Sequence, residues 1–176
     1  MTLDRLKQHV APAASPVPSD VVIDTDGRTL ALPPDYAELM AVYGPGAFDG
    51  YVFLLSVDNP RRLYDMVAST RESAEQMAGH RERLANDWPP YPLWPAEGAL
   101  VKWATIANEH DLFWLTKGEP SHWPVVVLRE DEQLHELVAM TATEFLVRLI
   151  EGPEPSDLVG TPLANGVVRF LPSANN

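Results

Sequence analysis

Histidine is the residue type best suited to proton transfer near neutral pH, because its ordinary pKa is about 6.5. The chain has five histidines: His9, His80, His110, His122 and His135. They form neither an H-E-x-x-H motif nor a close pair. His110 precedes Asp111, but neighbouring residues of a strand point to opposite faces. We therefore expect no catalytic pair at these two positions.

Motifs for nucleophiles, nucleotides and metals are also missing from the sequence. There is no cysteine, no G-x-S-x-G elbow and no G-x-x-x-x-G-K-[ST] loop. The stretch Asp24-Thr25-Asp26-Gly27 resembles part of a calcium loop, but its twelfth position holds Asp35 instead of glutamate. We interpret the stretch as a turn. The expectation is a protein without catalytic residues, cofactor or metal.

Charge points to a binding function. The chain has 13 Lys and Arg against 25 Asp and Glu, a net charge of −12. Such a surface repels nucleic-acid phosphates and attracts a basic protein partner, although acidic surfaces also serve solubility alone. Acids in predicted turns are the candidate contacts. They are Asp49, Asp58, Glu109, Asp111, Glu130, Asp131 and Glu132.

Hydropathy gives no indication of a membrane protein. No run approaches the roughly 18 to 20 apolar residues of a membrane-spanning helix. The first eight residues, MTLDRLKQ, lack the apolar core of a secretory signal. We expect a cytoplasmic protein that does not contact a membrane.

Proline and periodicity divide the chain into three parts. Three prolines up to Pro18 predict an extended N-terminal arm over residues 1–20, and four in the last 24 residues predict an extended tail over 153–176. Between them, residues 21–152 predict one domain. Its first helix carries Tyr36, Leu39, Met40 and Tyr43 on one face, and a second helix is predicted to begin at Asp58-Asn59-Pro60.

Apolar runs predict the strands of this domain. Tyr51–Leu55 is typical of a buried strand, and four further runs follow with short turns between them. These are Leu100–Thr105, Asp111–Thr116, Trp123–Leu128 and Leu134–Ala139. Short turns imply antiparallel pairing. A last helix begins at Thr141, which forms a capping box with Glu144. The prediction is an α+β domain with an antiparallel sheet of about four to six strands backed by helices.

All five tryptophans lie between residues 88 and 123. Tryptophan commonly anchors a small core, but on a surface it anchors an interface. Trp103 and Trp114 lie in predicted strands and are expected to point inward. Trp88 and Trp94 lie in a proline-rich loop and fit either role.

Taken in order, several motifs resemble the SUKH superfamily of the Smi/Knr type. The resemblance covers about residues 32 to 152, and the chain departs from it at 21–27, where many members have a tryptophan-bearing helix. The motifs are Leu32-Pro33-Pro34-Asp35-Tyr36, Tyr43-Gly44, Gly46, Phe48-Asp49, Tyr91-Pro92-Leu93-Trp94-Pro95, Leu100-Val101-Lys102-Trp103, Phe113-Trp114, Trp123-Pro124-Val125-Val126-Val127 and Thr143-Glu144-Phe145-Leu146.

The resemblance implies an antiparallel sheet backed by helices and no catalytic residues. It also implies the role of an immunity protein that binds a polymorphic toxin, often a nuclease. An intracellular regulatory scaffold with a different protein partner is the alternative that the same resemblance leaves open. A hydrolase using His110 or a carboxylate pair is a more remote one, since it requires a concave pocket with a perturbed ionisable group.

Overall fold

The computed structural model describes residues 2–12, 22–107, 109–160, 163 and 166–173. The helices are α1 Thr2–His9, α2 Pro34–Tyr43, α3 Met66–Leu84 and α4 Ala142–Glu151. The strands are β1 Val22–Thr25, β2 Arg28–Ala31, β3 Gly46–Phe48, β4 Val52–Leu54, β5 Leu100–Ile106, β6 His110–Leu115, β7 Val125–Arg129, β8 Leu134–Val138 and β9 Phe170–Pro172.

Seven of these strands form one antiparallel sheet in the order β8-β7-β6-β5-β4-β3-β9. β1 and β2 form a separate hairpin. The predicted α+β class and the antiparallel meander β5 to β8 are confirmed. The sheet has one strand more than the upper end of the prediction, because β3 and β9 have only three residues each and carry no period-two pattern.

Each face of the sheet packs against helices. On one face, α1, α2 and α4 cover a core that includes Trp103, Trp114 and Phe145. The hydroxyl of Tyr36 in α2 donates towards the carbonyl oxygens of Leu55 and Trp103, at 2.7 and 2.9 Å. On the other face, α3 covers a smaller apolar cluster of Met77, Leu100, Phe113, Val126 and Leu128. The inward positions predicted for Trp103 and Trp114 are confirmed.

The predicted helices α2 and α4 are confirmed, and the predicted start of α3 is wrong. Thr141 and Glu144 form the capping box of α4. Asp58 has a φ of 53°, which no helix accommodates, so the chain turns there instead. Asp65 caps α3 seven residues later, where its carboxylate accepts hydrogen bonds from the Val67 and Ala68 amides.

Both terminal segments belong to the domain, which corrects the prediction of an extended arm and a surface tail. Leu3 and Leu6 of α1 are buried, and Arg5 and His9 bond to Glu151 of α4. Residues 13–20 of the predicted arm lie outside the described residues. β9 pairs with β3 at the sheet edge, and the chain before it buries Val159, Leu163 and Val168. Burial of apolar side chains therefore outweighs the local effect of the prolines.

The β1–β2 hairpin turns at Asp26 and Gly27, as predicted for this stretch. The Asp26 carboxylate accepts hydrogen bonds from Arg71 and from the Trp94 indole. These bonds, that of Arg71 first, lower the pKa of the carboxyl. They hold the hairpin against α3 and the proline-rich loop. Among the described residues, no helix has the length and apolarity needed to cross a membrane.

Candidate partner-binding site

Three turns lie side by side at one end of the seven-stranded sheet. The β3–β4 turn joins the β5–β6 turn through a 2.8 Å hydrogen bond from the Ala107 amide to the Tyr51 carbonyl. The β7–β8 turn lies next, because Asp111 near the start of β6 pairs with Leu128 near the end of β7. Antiparallel pairing therefore gathers turns that are far apart in the chain.

Six of the seven predicted contact acids lie at this end of the sheet. We call them the acidic rim: Asp49, Glu109, Asp111, Glu130, Asp131 and Glu132. Strands in a sheet are about 4.8 Å apart, so four strand spacings carry the rim over about 20 Å. The seventh acid, Asp58, follows β4 beyond its other end and lies away from the rim.

A cleft of about 460 Å³ opens in the middle of the rim, between the sheet and α3. We call it the acidic cleft. Its lining consists of His80, Glu109, Asp111, Leu128, Glu130 and Asp131. Four of its six lining residues are predicted contact acids, whereas His80 comes from α3. The cleft therefore presents carboxylates from two turns over an apolar floor at Leu128.

Two neighbouring side chains bind the Asp111 carboxylate at the wall of the cleft. This carboxylate lies 2.7 Å from the Lys102 ammonium, and it accepts a hydrogen bond of 3.3 Å from the Thr105 hydroxyl. The side chains of Lys102 and Asp111 are only 13% and 19% exposed. The sequence places Asp111 at the start of a strand, which is confirmed, but the expectation that its side chain is an exposed acid beside the turn is wrong. It lies in β6, where α3 and the neighbouring strands cover it.

Glu130 has a carboxyl pKa above its ordinary value. Burial raises the pKa of its carboxyl, and the negative charge of Asp111 raises that pKa further. The charges of Lys102 and His80 act in the opposite direction. Its Oε1 atom is buried, and none of the described residues donates a hydrogen bond to it. Glu130 lies in the predicted turn, but the expectation that it is exposed is wrong, because it lines the cleft together with His80 of α3.

Glu109, Asp131 and Glu132 are exposed, as expected for turn acids. Arg129 contacts both Asp131 and Glu132, at 3.3 and 3.1 Å, and so neutralises part of their charge. Glu109 has no such cation beside it among the described ion pairs, and its charge contributes to a raised pKa of Tyr51, after burial. The two exposed acids of different turns, Glu109 and Asp131, are thus the most accessible charges of the cleft.

Asp49 and Asp58 have conformational roles that the sequence did not reveal. Both have positive φ angles, 50° and 53°. The Asp49 carboxylate accepts a 2.8 Å hydrogen bond from the Arg169 amide, which ties the segment before β9 to the β3–β4 turn. Aspartate tolerates this left-handed conformation better than most residues. Its presence at these two positions therefore has a structural reason that is independent of binding.

A second groove of about 650 Å³ continues from the acidic cleft along α3. Asp111 lines both, and Lys102 lies in the floor of the groove. The remaining lining residues are Phe53, Arg62, Leu63, Ser69, Glu72 and Thr105. Lys102 was not singled out in the sequence. Its one signal was a cation within the otherwise apolar strand Leu100–Ile106.

His110 takes no part in the cleft. It is 6% exposed and lies in β6 on the face opposite Asp111, so the expectation that the two side chains do not meet is confirmed. Over the described ranges, no three His, Asp or Glu side chains are grouped so as to hold a metal ion. Comparisons with protein-family models, with curated proteins and with solved structures gave no match for this chain.

Proposed function

We propose that this protein binds a basic protein toxin through the acidic rim and neutralises it, as an immunity protein of the cytoplasm does. The observation that carries the proposal is the convergence of six acids, in three turns and at the start of β6, around a cleft at one end of the sheet. Acids scattered for solubility alone need not converge in this way. The protein acts by occupying its partner and not by catalysis.

The charges of the site support a basic partner. A nuclease toxin holds its substrate through cations that bind phosphates, and an acidic surface of about 20 Å competes for those cations. Electrostatic attraction also raises the association rate, which is valuable for an inhibitor. The half-buried Glu130 and Asp111 supply carboxylates that are already partly desolvated, so less solvation is lost when the partner binds.

The experiment uses the product of the gene adjacent to the one for this chain. Glu109→Lys combined with Asp131→Lys reverses the two accessible charges of the cleft. Glu97→Lys combined with Glu119→Lys is the matched control, with the same change in net charge at the opposite end of β5 and β6. That end is about 20 Å away, given the rise of about 3.3 Å per strand residue.

Affinity for the adjacent gene product is measured by calorimetry at two salt concentrations. We expect the cleft double variant to bind at least about tenfold more weakly, and the control variant to bind within about threefold of the wild type. Raised salt weakens the wild-type complex because it screens the charges. Co-expression in bacteria provides the functional readout: the wild type and the control restore growth, and the cleft variant does not. Equal loss in both double variants contradicts the assignment of the cleft, and absence of any binding contradicts the proposed partner.

A further inference from the structure

β8 forms one edge of the seven-stranded sheet, and no strand of the described residues pairs with its outer side. It pairs with β7 over Leu134–Val138 and with no other strand of the described chain. Over the described ranges, its only other main-chain hydrogen bond is a local turn bond from the Met140 amide to the Val138 carbonyl. Alternate residues of an edge strand direct their amide and carbonyl groups away from the sheet. β8 therefore has main-chain donors and acceptors on its outer side to which no described residue bonds.

The opposite edge differs in the features that protect a strand. β9 has only three residues, and one of them is Pro172, which has no amide to donate. β8 has five residues and no proline, and it exposes two apolar side chains, Leu134 at 38% and Leu137 at 50%. Only one of the two edges can accept a further strand over its full length.

Side chains around β8 favour a basic strand. The acids Glu130, Asp131 and Glu132 lie in the turn before β8, and Arg129 is the cation that contacts two of them. On one side of the edge, Leu137 shares a sheet face with His135, whose ring packs edge-on against Tyr91 at 5.6 Å. An added strand would contact apolar side chains along β8 and carboxylates near Leu134, where β8 begins.

A second copy of this chain would pair unfavourably with the β8 edge. Antiparallel pairing of β8 with itself, centred on Glu136, places the same carboxylate on both strands directly opposite each other. Like charges in that position are destabilising. Glu136 also accepts hydrogen bonds from the Ser156 hydroxyl and the Asp157 amide, which bring a further acid near this edge. Net charges of −12 on both copies add to the repulsion.

We propose that β8 docks an extended segment of the basic partner, which joins the sheet as an eighth strand and alternates apolar with basic side chains. The inference rests on the proposed function for the basic character of the partner. Main-chain hydrogen bonds supply the affinity, and the acids beside β8 select lysine and arginine. The rim and the edge then form one continuous surface, because the β7–β8 turn belongs to both.

The test uses a synthetic probe and does not need the toxin. The probe is the capped peptide Lys-Val-Lys-Val-Lys-Val-Lys, and its partner is the same peptide with N-methyl groups on three consecutive central residues. N-methylation leaves the charge unchanged but removes donors on both edges of the peptide strand. We expect at least about tenfold weaker binding of the methylated peptide, because each lost main-chain hydrogen bond lowers affinity severalfold.

The location is read from backbone amides by NMR. With the unmethylated peptide, hydrogen exchange slows and resonances shift at Leu134–Val138. Leu137→Lys weakens the probe about fivefold or more through lost apolar contact and added repulsion. Leu171→Lys, on the opposite edge and equally exposed at 53%, leaves binding unchanged.

Each contrary outcome overturns the inference. Equal affinity of the two peptides shows attraction by charge alone, and slowed exchange elsewhere shows another site. Concentration-dependent dimerisation through β8 in sedimentation experiments assigns the edge to a second copy. If the peptide does not bind β8 while the toxin complex still forms, the inference about β8 is wrong and the proposed function stands. If the peptide binds β8 but the protein neutralises no toxin, the proposed function is wrong and the inference about β8 stands.

Discussion

Replacement of Glu130 by glutamine is expected to stabilise the free protein at neutral pH and to weaken its complex with a basic partner. The Glu130 Oε1 atom is buried and accepts no hydrogen bond from the described residues. Burial and the nearby Asp111 both raise the pKa of this carboxyl. Glutamine has nearly the same length and shape without the charge, so Glu130→Gln removes the cost of burying a charge and the repulsion from Asp111. A residue kept at a cost in stability is typical of a functional site.

The size of the gain follows from the environment of the carboxylate. A buried polar group without a partner costs about 1–3 kcal/mol, and a charged one costs more. Glutamine keeps a polar atom at this position, so the gain is only the excess cost of the charge. Glu130 retains partial contact with water, which screens its charge and keeps this excess small. We expect a gain of about 1 kcal/mol at pH 7, which raises Tm by about 2–4 °C for a chain of this length.

The pH dependence of the free energy of unfolding identifies the Glu130 charge as the origin of the gain. Because the native pKa of Glu130 is raised, the native state keeps this proton at a pH where the unfolded chain has already lost it. The ionised carboxylate therefore destabilises the wild type above the native pKa. As pH falls towards the unfolded value of about 4.3, the wild type recovers that stability and the advantage of the Glu130→Gln variant disappears.

Urea denaturation from pH 8 to pH 4.5 measures this difference. Glu132→Gln is the matched control, because Glu132 lies two residues away, is exposed and contacts Arg129 at 3.1 Å. An exposed ion pair contributes about 0–1 kcal/mol, so the control variant is expected to lose a few tenths of a kcal/mol at most. The reasoning is refuted if Glu130→Gln gives no gain at pH 7, or a gain that does not change with pH.

Three further predictions concern the fold. Gly46→Ala places a Cβ against the carbonyl oxygen of Leu171, so we expect a loss of about 1–3 kcal/mol in urea denaturation and faster hydrogen exchange in β9. Tyr36→Phe removes the buried hydroxyl that faces the Trp103 carbonyl, with an expected loss of about 1–2 kcal/mol by the same method. Thr141→Ala removes one half of the capping box of α4 and is expected to cost about 1 kcal/mol, measured as a lower Tm.

The parts of the fold that the sequence predicts are those where several local signals coincide. In α4, the capping box at Thr141 precedes an apolar face that includes Phe145 and Leu146. In β5 to β8, apolar runs alternate with short turns, so both the strands and their antiparallel order could be derived. The start of α3 was misplaced because Asp58-Asn59-Pro60 and Asp65 both have the composition of a helix start. The structure distinguishes them by the positive φ of Asp58 and by the hydrogen bonds that the Asp65 carboxylate accepts at the start of α3.

Elements that depend on distant partners could not be derived. Three-residue strands such as Gly46–Phe48 and Phe170–Pro172 contain too few residues to show alternation, and each is stabilised by its neighbour in the sheet. α1 has eight residues, shorter than the roughly 12 to 15 at which isolated helices become stable in water. It forms because Leu3 and Leu6 pack into the core.

For the candidate site too, the sequence predicts local features but not the contacts between residues that are far apart in the chain. Charge and turn composition predicted the acids, but their convergence follows from antiparallel topology, which brings Asp49 and Asp131 to the same end of the sheet. Whether a turn acid is accessible depends on α3, which lies far before Glu130 in the chain. Glu130 is half-buried although its sequence neighbour Asp131 is exposed, and burial together with the nearby Asp111 raises the pKa of the Glu130 carboxyl. A partner that places a cation beside Glu130 would offset the same repulsion that Glu130→Gln removes, so binding and folding stability are coupled through this one carboxylate.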